Sequence, residues 1–479
     1  VNLYQCWHET ALRLPNQPAI VGPGEEAAIS YRALDEAICR TSEMLTAVGV
    51  GPGSCVGLHY PSGREYIVHT YAIWRAGGCV VPIPTELAAA EKSEICRRLA
   101  IDFVISKTPA PAFVEPFART AQINLGEDVL LPIASPRQHP AGFAEVNAAF
   151  IRFTSGTTGA SKGVVLSHET IHERICGANQ ALAIDPDDRV LWVLSMAYHF
   201  TVSIVAYLTF GATIVLPANH FAAAILAAIQ RQRATLLYAS PTHYALLADY
   251  PQAAPLASLR LAISTTSSLG QDVAVRFAER YERPISQALG IIEVGLPCID
   301  VDPAPEHWGS VGHVLPPYRL RLDEMGLGPE HREILLSGPG FLDAYYDPWL
   351  PRREILEDGW FRTGDVGSVD ADGQLFLRGR ASDVINVMGM KFFPQEVERV
   401  LTEHPLVQAA GVFGSHDQRW GEAVHARLVT HGAADLAALE SELRQLCRRQ
   451  LAAYKVPQRI EFVAALPRTA SGKILHRAG

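Results

Sequence analysis

Up to about residue 350, short β-branched runs alternate with Ala/Leu-rich stretches of helical spacing. The apolar runs fall at Cys55–His59, Val80–Ile83, Phe103–Ser106, Ala149–Thr154, Val190–Leu194, Thr213–Leu216 and Leu236–Ala239. Between them, Ser30–Val48 and Phe221–Arg233 repeat apolar residues at the three-to-four spacing of a half-buried helix. Strands alternating with helices predict βα units and a mostly parallel sheet covered on both faces. From Ser310 to about Gly379 the pattern shortens. Arg319–Leu322, Glu333–Leu336 and Gln374–Leu377 alternate between Gly, Pro and Asp turns, which predicts an antiparallel, barrel-like piece. After Arg380 a third pattern follows: a helix at Pro394–Leu401, strands at Val407–Phe413 and Ala423–Thr430, a long amphipathic helix at Leu436–Leu451 and a strand at Ile460–Val463. The last stretch therefore reads as a small α+β domain. The Ala/Pro-rich segment Thr108–Ala149 reads as surface connection, and no repeat with a period of about 20–50 residues is present.

Composition narrows the classes. The chain has 479 residues, 48% hydrophobic and 19% charged, enough apolar content for more than one core. A formal net charge of −9 argues against a nucleic-acid partner, so any phosphate binding has to be local. The 8 cysteines form no C-x-x-C pair, which removes zinc ribbons and thioredoxin-type redox chemistry and points to free thiols. No apolar stretch is long enough to predict a membrane span, and no signal-like segment opens the sequence; a cytoplasmic location is the expectation.

The densest chemistry lies in Phe153-Thr154-Ser155-Gly156-Thr157-Thr158-Gly159-Ala160-Ser161-Lys162-Gly163. Glycines let backbone N–H groups turn toward phosphate oxygens, hydroxyls add donors, and the lysine adds charge. It is not a Walker A loop, because Lys162 follows Ser161 and precedes Gly163. Two competing motifs overlap it. Gly159–Gly163 fits the G-x-S-x-G elbow, but Val164-Val165-Leu166 continues as strand where an elbow needs a helix. His168-Glu169-Thr170-Ile171-His172 fits the H-E-x-x-H zinc helix, although Ser167 has the look of an N-cap that accounts for an acid in the first turn. Farther on come Trp360–Asp365, Arg378–Asp383 with Lys391, and the Gly/Ser turn Pro467–Lys473.

In this order, the motifs resemble the adenylate-forming enzymes, which include acyl- and aryl-CoA synthetases and stand-alone adenylation domains. Residues 153–164 resemble the family's phosphate-binding signature, Leu289-Gly290-Ile291-Ile292-Glu293 its aromatic-Gly-x-Thr-Glu motif, Trp360–Asp365 its ribose-binding turn, Gly379–Pro394 its hinge segment, and Pro467–Lys473 its catalytic-lysine loop. The resemblance implies an α/β fold: a large multi-lobed N-terminal domain over residues 1–381, with parallel αβ sheets and a small β-barrel-like subdomain, then a mobile α+β cap over 382–479. It implies a carboxylate attacking the α-phosphorus of ATP to give acyl-AMP, then a thiol taking the acyl group. Thr154, Ser155, Gly156, Thr157, Thr158, Gly159 and Lys162 would hold phosphates, Leu289 and Gly290 would lie at the adenine, and Asp365 and Arg380 at the ribose. Glu293 would hold Mg²⁺ and Lys473 would bridge the attacking carboxylate and the α-phosphate. Ser382 would be the hinge, and Gly389 would lie on the path of the incoming thiol of CoA or of a carrier protein's phosphopantetheine.

The acid would lie against Tyr198, His199, Ser264, Ala288, Ile291 and Leu296, an apolar set with few polar anchors. His199 would either bond a substrate hydroxyl or serve as a core histidine. No Asp stands at this segment to pair an α-ammonium, so the implied substrate is a small aryl or aliphatic acid and not an amino acid. Ile292 replaces the family's frequent Thr, Leu289 its aromatic, Ser382 its hinge Asp or Lys, and Thr265-Thr266-Ser267-Ser268-Leu269 a Gly-rich run. The alternatives are a zinc metallohydrolase built on His168, Glu169 and His172, and a protein that binds nucleotide or acyl-AMP without turnover.

Overall fold

The computed structural model describes residues 1–23, 28–107, 110–153, 162–252, 254–417, 421–432 and 435–467. These divide into two compact units: residues up to 319 with 337–359, and residues 320–336 with those from 360 onward.

The first unit holds two mixed nine-stranded sheets. In one, Ser286–Ile291, Leu261–Ser264, Leu236–Ala239, Arg189–Trp192, Thr213–Val215 and Pro18–Val21 run parallel in that order. Gly295–Ile299 and His313–Val314 extend it antiparallel at one edge, and Ile29–Ser30 at the other. Helices Ala222–Gln232, Pro241–Ala248 and Gln271–Tyr281 contribute Ile225, Ile229, Tyr244, Phe277 and Tyr281 to a shared core with Leu191, Leu237 and Ala262. In the other sheet, Ala148–Phe153, Cys79–Pro82, Cys55–His59 and Phe103–Lys107 are parallel, with antiparallel strands at both edges. Helix Tyr31–Ala47 starts where its sequence directs, with the Ser30 hydroxyl accepting from Ala33 N–H, and it buries Tyr31, Leu34, Ile38 and Leu45 along one face.

The segment read as surface connection is instead part of this second sheet. Ile123–Leu125 and Asp128–Pro132 form a hairpin, and the latter strand pairs with Phe103–Lys107. Phe113, Val114, Phe117, Val129, Leu131, Ile133 and Phe143 from the same segment lie in the core. Its Ala and Pro content concealed short apolar runs that an edge strand needs only a few residues to make.

The second unit contains a four-stranded sheet, in the order Arg319–Glu324, Arg332–Ser337, Phe361–Val369 and Leu375–Arg380, where the barrel-like pattern was expected. A separate five-stranded sheet is built on Val407–Asp417 and Gly421–Thr430, with Arg459–Phe462 added in parallel. Helices Pro394–Thr402 and Leu436–Gln450 bury Val397, Val400, Leu401, Leu439 and Leu443 in the same core as this sheet. Asp435 caps the longer helix by accepting from the N–H groups of Ala437 and Ala438.

One carboxylate fastens the starts of three neighbouring parallel strands. Asp188, just before Arg189–Trp192, accepts Arg260 Nε at 2.9 Å and Nη2 at 2.7 Å, and Thr235 Oγ1 at 2.7 Å. Thr235 and Arg260 immediately precede the two adjacent strands. Burial alone would raise the Asp188 pKa, but the bonds from Arg260 and Thr235 more than offset that and hold it below the usual carboxylate value. A depressed carboxylate contributes stability above its unfolded pKa and loses it as pH falls through the folded one. Asp188→Asn is therefore expected to destabilise the fold at neutral pH by about 1–3 kcal/mol. In chemical denaturation the gap from the parent should narrow below pH 3.8; an equal gap at both pH values would remove this role.

Candidate active site

The opposite, C-terminal ends of these strands carry the residues of interest, as open α/β sheets generally place their ligands. Strand Ala148–Phe153 returns antiparallel as Gly163–Ser167, with Phe153 paired to Gly163. The strand at Gly163–Ser167 stands where a strand–Ser–helix elbow needs a helix, so the G-x-S-x-G match carries no hydrolase. Thr154, Ser155, Gly156, Thr157, Thr158 and Gly159, and likewise Lys473, lie outside the described residues.

Lys162, at the foot of the returning strand, sets its ammonium 4.5 Å from the centre of the Tyr345 ring. The Tyr345 hydroxyl donates to Glu293 Oε1 at 3.2 Å. Burial and the Glu293 charge both raise the Tyr345 pKa, so it remains a donor. A lysine, a phenol and a carboxylate thus meet in one line, from residues far apart in sequence. Glu293 Oε2 accepts no bond among the described residues. A carboxylate with one oxygen available suits Mg²⁺, which is commonly held by one or two carboxylates together with phosphate oxygens.

Glu293 is positioned from beneath by Arg174, a fully buried residue of helix His168–Leu182. Arg174 donates to Gly340 O from Nε at 3.0 Å and Nη2 at 2.6 Å, to Ile292 O from Nη1 at 2.9 Å, and to Glu293 O from Nη2 at 3.4 Å. Two glycines make the approach possible. Gly340, at φ +70°, would place a Cβ 3.0 Å from the Arg174 backbone N, and Gly295, at φ +111°, would place one 3.1 Å from Arg174 Cβ. Burial pushes the Arg174 pKa down to about 10, so the guanidinium stays charged at neutral pH.

Tyr198 and His199 lie half-buried in the turn after strand Arg189–Trp192. The His199 ring contacts Trp192 and Tyr238 edge-on, at 6.2 and 6.0 Å between centroids, and its nitrogens bond nothing among the described residues. Burial, and then the nearby Arg152 charge, push its pKa down to about 3, so it is a neutral imidazole. Ser264 ends its strand buried, with Oγ unpartnered among the described residues. Ala288, Leu289, Ile291 and Leu296 are buried around the hairpin Ser286–Ile291 and Gly295–Ile299. Gly290 is exposed on the same strand, and a Cβ there would lie 3.7 Å from Thr265 Oγ1. The next residue, Thr266, adopts φ +83°, a conformation a β-branched residue holds only under constraint. Gln287 supplies part of that constraint, accepting from Leu269 N–H at 2.9 Å.

In the second unit, the Asp365 and Arg380 side chains meet, Oδ1 to Nε, at 2.7 Å across paired strands. Thr363 Oγ1 accepts Asp365 N–H at 3.0 Å and donates to Ile334 O at 2.7 Å, which fixes the turn at Gly364. Ser382 donates to Asp383 at 3.0 Å, in the short helical turn Ala381–Asp383. Gly389 follows Met388 at the tip of the hairpin joining Ile385–Val387 to Met390–Phe392; both tip residues have positive φ, and a Cβ on Gly389 would meet nothing within 4 Å.

The zinc reading fails on geometry. The His168 ring accepts Leu3 N–H at 3.1 Å on Nδ1 and packs edge-on to Trp74, while burial pushes its pKa down to about 4. Glu169 accepts from Asn147 Nδ2 at 3.0 Å, and the His172 ring lies against Cys176 Sγ at 3.8 Å. Ser167 caps the helix, accepting Thr170 N–H at 3.1 Å. Neither histidine belongs to a cluster able to hold a metal among the described residues. Sequence reasoning missed Arg152, Arg174 and Tyr345. A charged residue within the otherwise apolar strand Ala148–Phe153 was the one available signal for Arg152.

Two family models match: AMP-binding enzyme over residues 7–346 and AMP-binding enzyme C-terminal domain over residues 396–473. A feruloyl-CoA synthase of an Amycolatopsis species is 31% identical over 465 residues, covering 94% of this chain and 92% of that protein. A 2-succinylbenzoate–CoA ligase of Bacillus licheniformis is 30% identical, covering 91% of each. Among solved structures, the o-succinylbenzoate CoA synthetase of Bacillus subtilis, in complex with its acyl-adenylate intermediate, is 26% identical with a TM-score of 0.85, over 99% of this chain and 97% of that one. These relatives are ligases and synthetases, which leaves nucleotide binding without turnover unsupported. No helix among the described residues is long and apolar enough to cross a membrane.

Arg174→Met removes the guanidinium donors to the Ile292, Glu293 and Gly340 carbonyls and leaves Glu293 O with the Leu342 N–H at 2.7 Å. It is expected to cost about 3–5 kcal/mol of stability, as loss of a fully buried charged network does. Thermal melting checks this, and an unchanged melting temperature would show that the two turns hold without it.

Proposed function

The chain belongs to the AMP-binding enzyme family and is an adenylate-forming acid–thiol ligase that uses ATP and CoA; from that premise we propose how its own residues share the work. The substrate is a small aryl or aliphatic carboxylic acid. A carboxylate oxygen forms a bond to the α-phosphorus of ATP while the bond to the β-phosphate breaks, giving acyl-AMP and pyrophosphate. A thiol sulfur then bonds to the acyl carbon, AMP leaves, and the thiol proton passes to solvent. What supports this reading most directly is the line from Lys162 through Tyr345 to Glu293. It brings a cation and a carboxylate oxygen to one tyrosine, the cation belonging to the residue that follows 154–161 in the chain, as phosphoryl chemistry by positioning and charge neutralisation requires.

In this assignment Lys162 and the hydroxyls of Thr154, Ser155, Thr157 and Thr158 bind the β- and γ-phosphates, with Gly156 and Gly159 freeing backbone donors. Glu293 holds Mg²⁺, which neutralises phosphate charge when bound. Leu289 and Gly290 lie beside adenine. Asp365 accepts the ribose hydroxyls, and Arg380, already bonded to it, keeps that carboxylate aimed. Lys473 neutralises the attacking carboxylate and the α-phosphate together. Tyr198, His199, Ser264, Ala288, Ile291 and Leu296 line the acid's site, where neutral His199 offers one donor and one acceptor. The functional boundary lies at 381/382 with Ser382 as hinge, and Gly389 flanks the thiol. The acceptor is CoA, with a carrier protein's phosphopantetheine as the finer alternative.

Pyrophosphate exchange across a panel of aryl and aliphatic acids tests the reading. Lys473→Ala is expected to lower exchange by at least about a thousandfold, the scale of losing a principal transition-state charge, while ATP binding by titration stays measurable. Full exchange in that variant would reassign the step. Offering CoA and a phosphopantetheinylated carrier protein to the loaded enzyme then reads the acceptor.

A further inference from the structure

Strand Ala148–Phe153 alternates its side chains between two faces. Ile151 belongs to the core on one face, and Arg152 points to the other, toward the turn that carries Tyr198 and His199. Its Nη1 donates to the Tyr198 carbonyl, and its guanidinium lies 5.8 Å from the centre of the Tyr198 ring. The Nε is buried and bonds nothing, and no carboxylate comes within ion-pair distance among the described residues. Glu293 acts on it only from electrostatic range, and burial lowers its pKa.

Tyr66, on helix Arg64–Arg75, lies within electrostatic range of the exposed Glu86 carboxylate and of the same guanidinium. Its side chain is 0% exposed, and its hydroxyl has no partner among the described residues. Burial raises its pKa, so it is a neutral O–H. Two buried donor atoms thus lie within electrostatic range of each other, each without an acceptor among the described residues, at a cost that a charged donor makes large. An arginine has no acceptor capacity at all. The complement is an oxyanion.

We propose that the acid activated by this chain carries a second anionic group, and that Arg152 with Tyr66 forms the subsite that receives it. This rests on the ligase reading above and names its substrate class: dicarboxylic acids, or carboxylic acids bearing a sulfonate. The attacking carboxylate is a poor match for this subsite, since it has to stay open to the nucleotide, whereas Arg152 Nε and the Tyr66 hydroxyl are closed off from solvent.

The test is pyrophosphate exchange with matched pairs: succinate with butyrate, adipate with hexanoate, suberate with octanoate, terephthalate and 4-sulfobenzoate with benzoate. For the best pair, kcat/KM for the dianion is expected to exceed that for the monoanion by at least about tenfold, the scale of one charge-assisted hydrogen bond. Arg152→Met should bring that ratio to one or below, Arg152→Lys should restore part of it, and Tyr66→Phe should lower it less. A parent ratio at or below one in every pair overturns the subsite. Equal losses for both acids in Arg152→Met also overturn it, because they assign Arg152 to the attacking carboxylate. Should Arg152→Met show no cooperative melt, Tyr66→Phe carries the same ratio, and an unchanged ratio there overturns the proposal. Absence of exchange with every acid overturns the ligase reading itself, a result distinct from exchange without dianion preference.

Discussion

The buried guanidinium of Arg174 is the contact on which the catalytic end of the first unit depends. It reaches from helix His168–Leu182 to the carbonyls of Ile292, Glu293 and Gly340, so one planar group, together with the Leu342 N–H that donates to Glu293 O at 2.7 Å, fixes the turn after strand Ser286–Ile291 against the turn before strand Ala344–Tyr345. Those turns present Glu293 and Tyr345, whose side chains bond each other. Gly295 and Gly340 pack directly onto the arginine. Any side chain there would force a shift in the backbone that carries Glu293. In the proposed role of Glu293, a carboxylate that is to meet metal and phosphate would have to be held firmly before either arrives, because preorganised charge costs no reorganisation during reaction. Arg174 touches no reacting atom, yet it sets where the acid of Glu293 stands.

The same unit contains a second inward-facing arginine with the opposite accounting. Arg174 spends its Nε and both Nη groups on carbonyl oxygens, whereas Arg152 spends Nη1 on the Tyr198 carbonyl and leaves Nε unmet. A chain that needed only a fold would gain by replacing such a residue with an apolar one of similar volume. Arg152 stands two residues before Thr154 and beside Tyr198 and His199, so in the proposed pocket its unmet valence would belong to the acid's surroundings.

Much of this was legible in the chain. Strands at Cys55–His59, Phe103–Ser106 and Leu236–Ala239 followed from β-branched runs, and Ser167 announced its helix by cap chemistry that the hydrogen bond matches. The order of motifs from residues 154–161 to Pro467 carried the family, because each is a local pattern of Gly, hydroxyl and charge. What the sequence hid was of two kinds. The edge hairpin at Ile123–Pro132 is stabilised by pairing with Phe103–Lys107, and that partner is not a local property. The meeting of Lys162, Tyr345 and Glu293 joins residues from three separate stretches, and Tyr345 sits in no motif at all. H-E-x-x-H misled for the converse reason: the spacing was right, but Leu3 N–H had already taken the His168 lone pair.

The electrostatics of the acid's surroundings also supply a cause for an exclusion that sequence reasoning could support only by a missing residue. The absence of an Asp near Tyr198 argued against amino acids, since nothing would pair an α-ammonium. Arg152 turns that absence into repulsion. Its charge, after burial itself, helps push the His199 pKa down to about 3, so the field there opposes protonation of a neighbouring base. The same field opposes an ammonium group by the same physics, and low-dielectric surroundings strengthen it relative to water. In the proposed pocket, selection would follow sign: a neutral imidazole for hydroxyls and a guanidinium for oxyanions, with the exposed Glu86 as the carboxylate acting on Tyr198 and Tyr66.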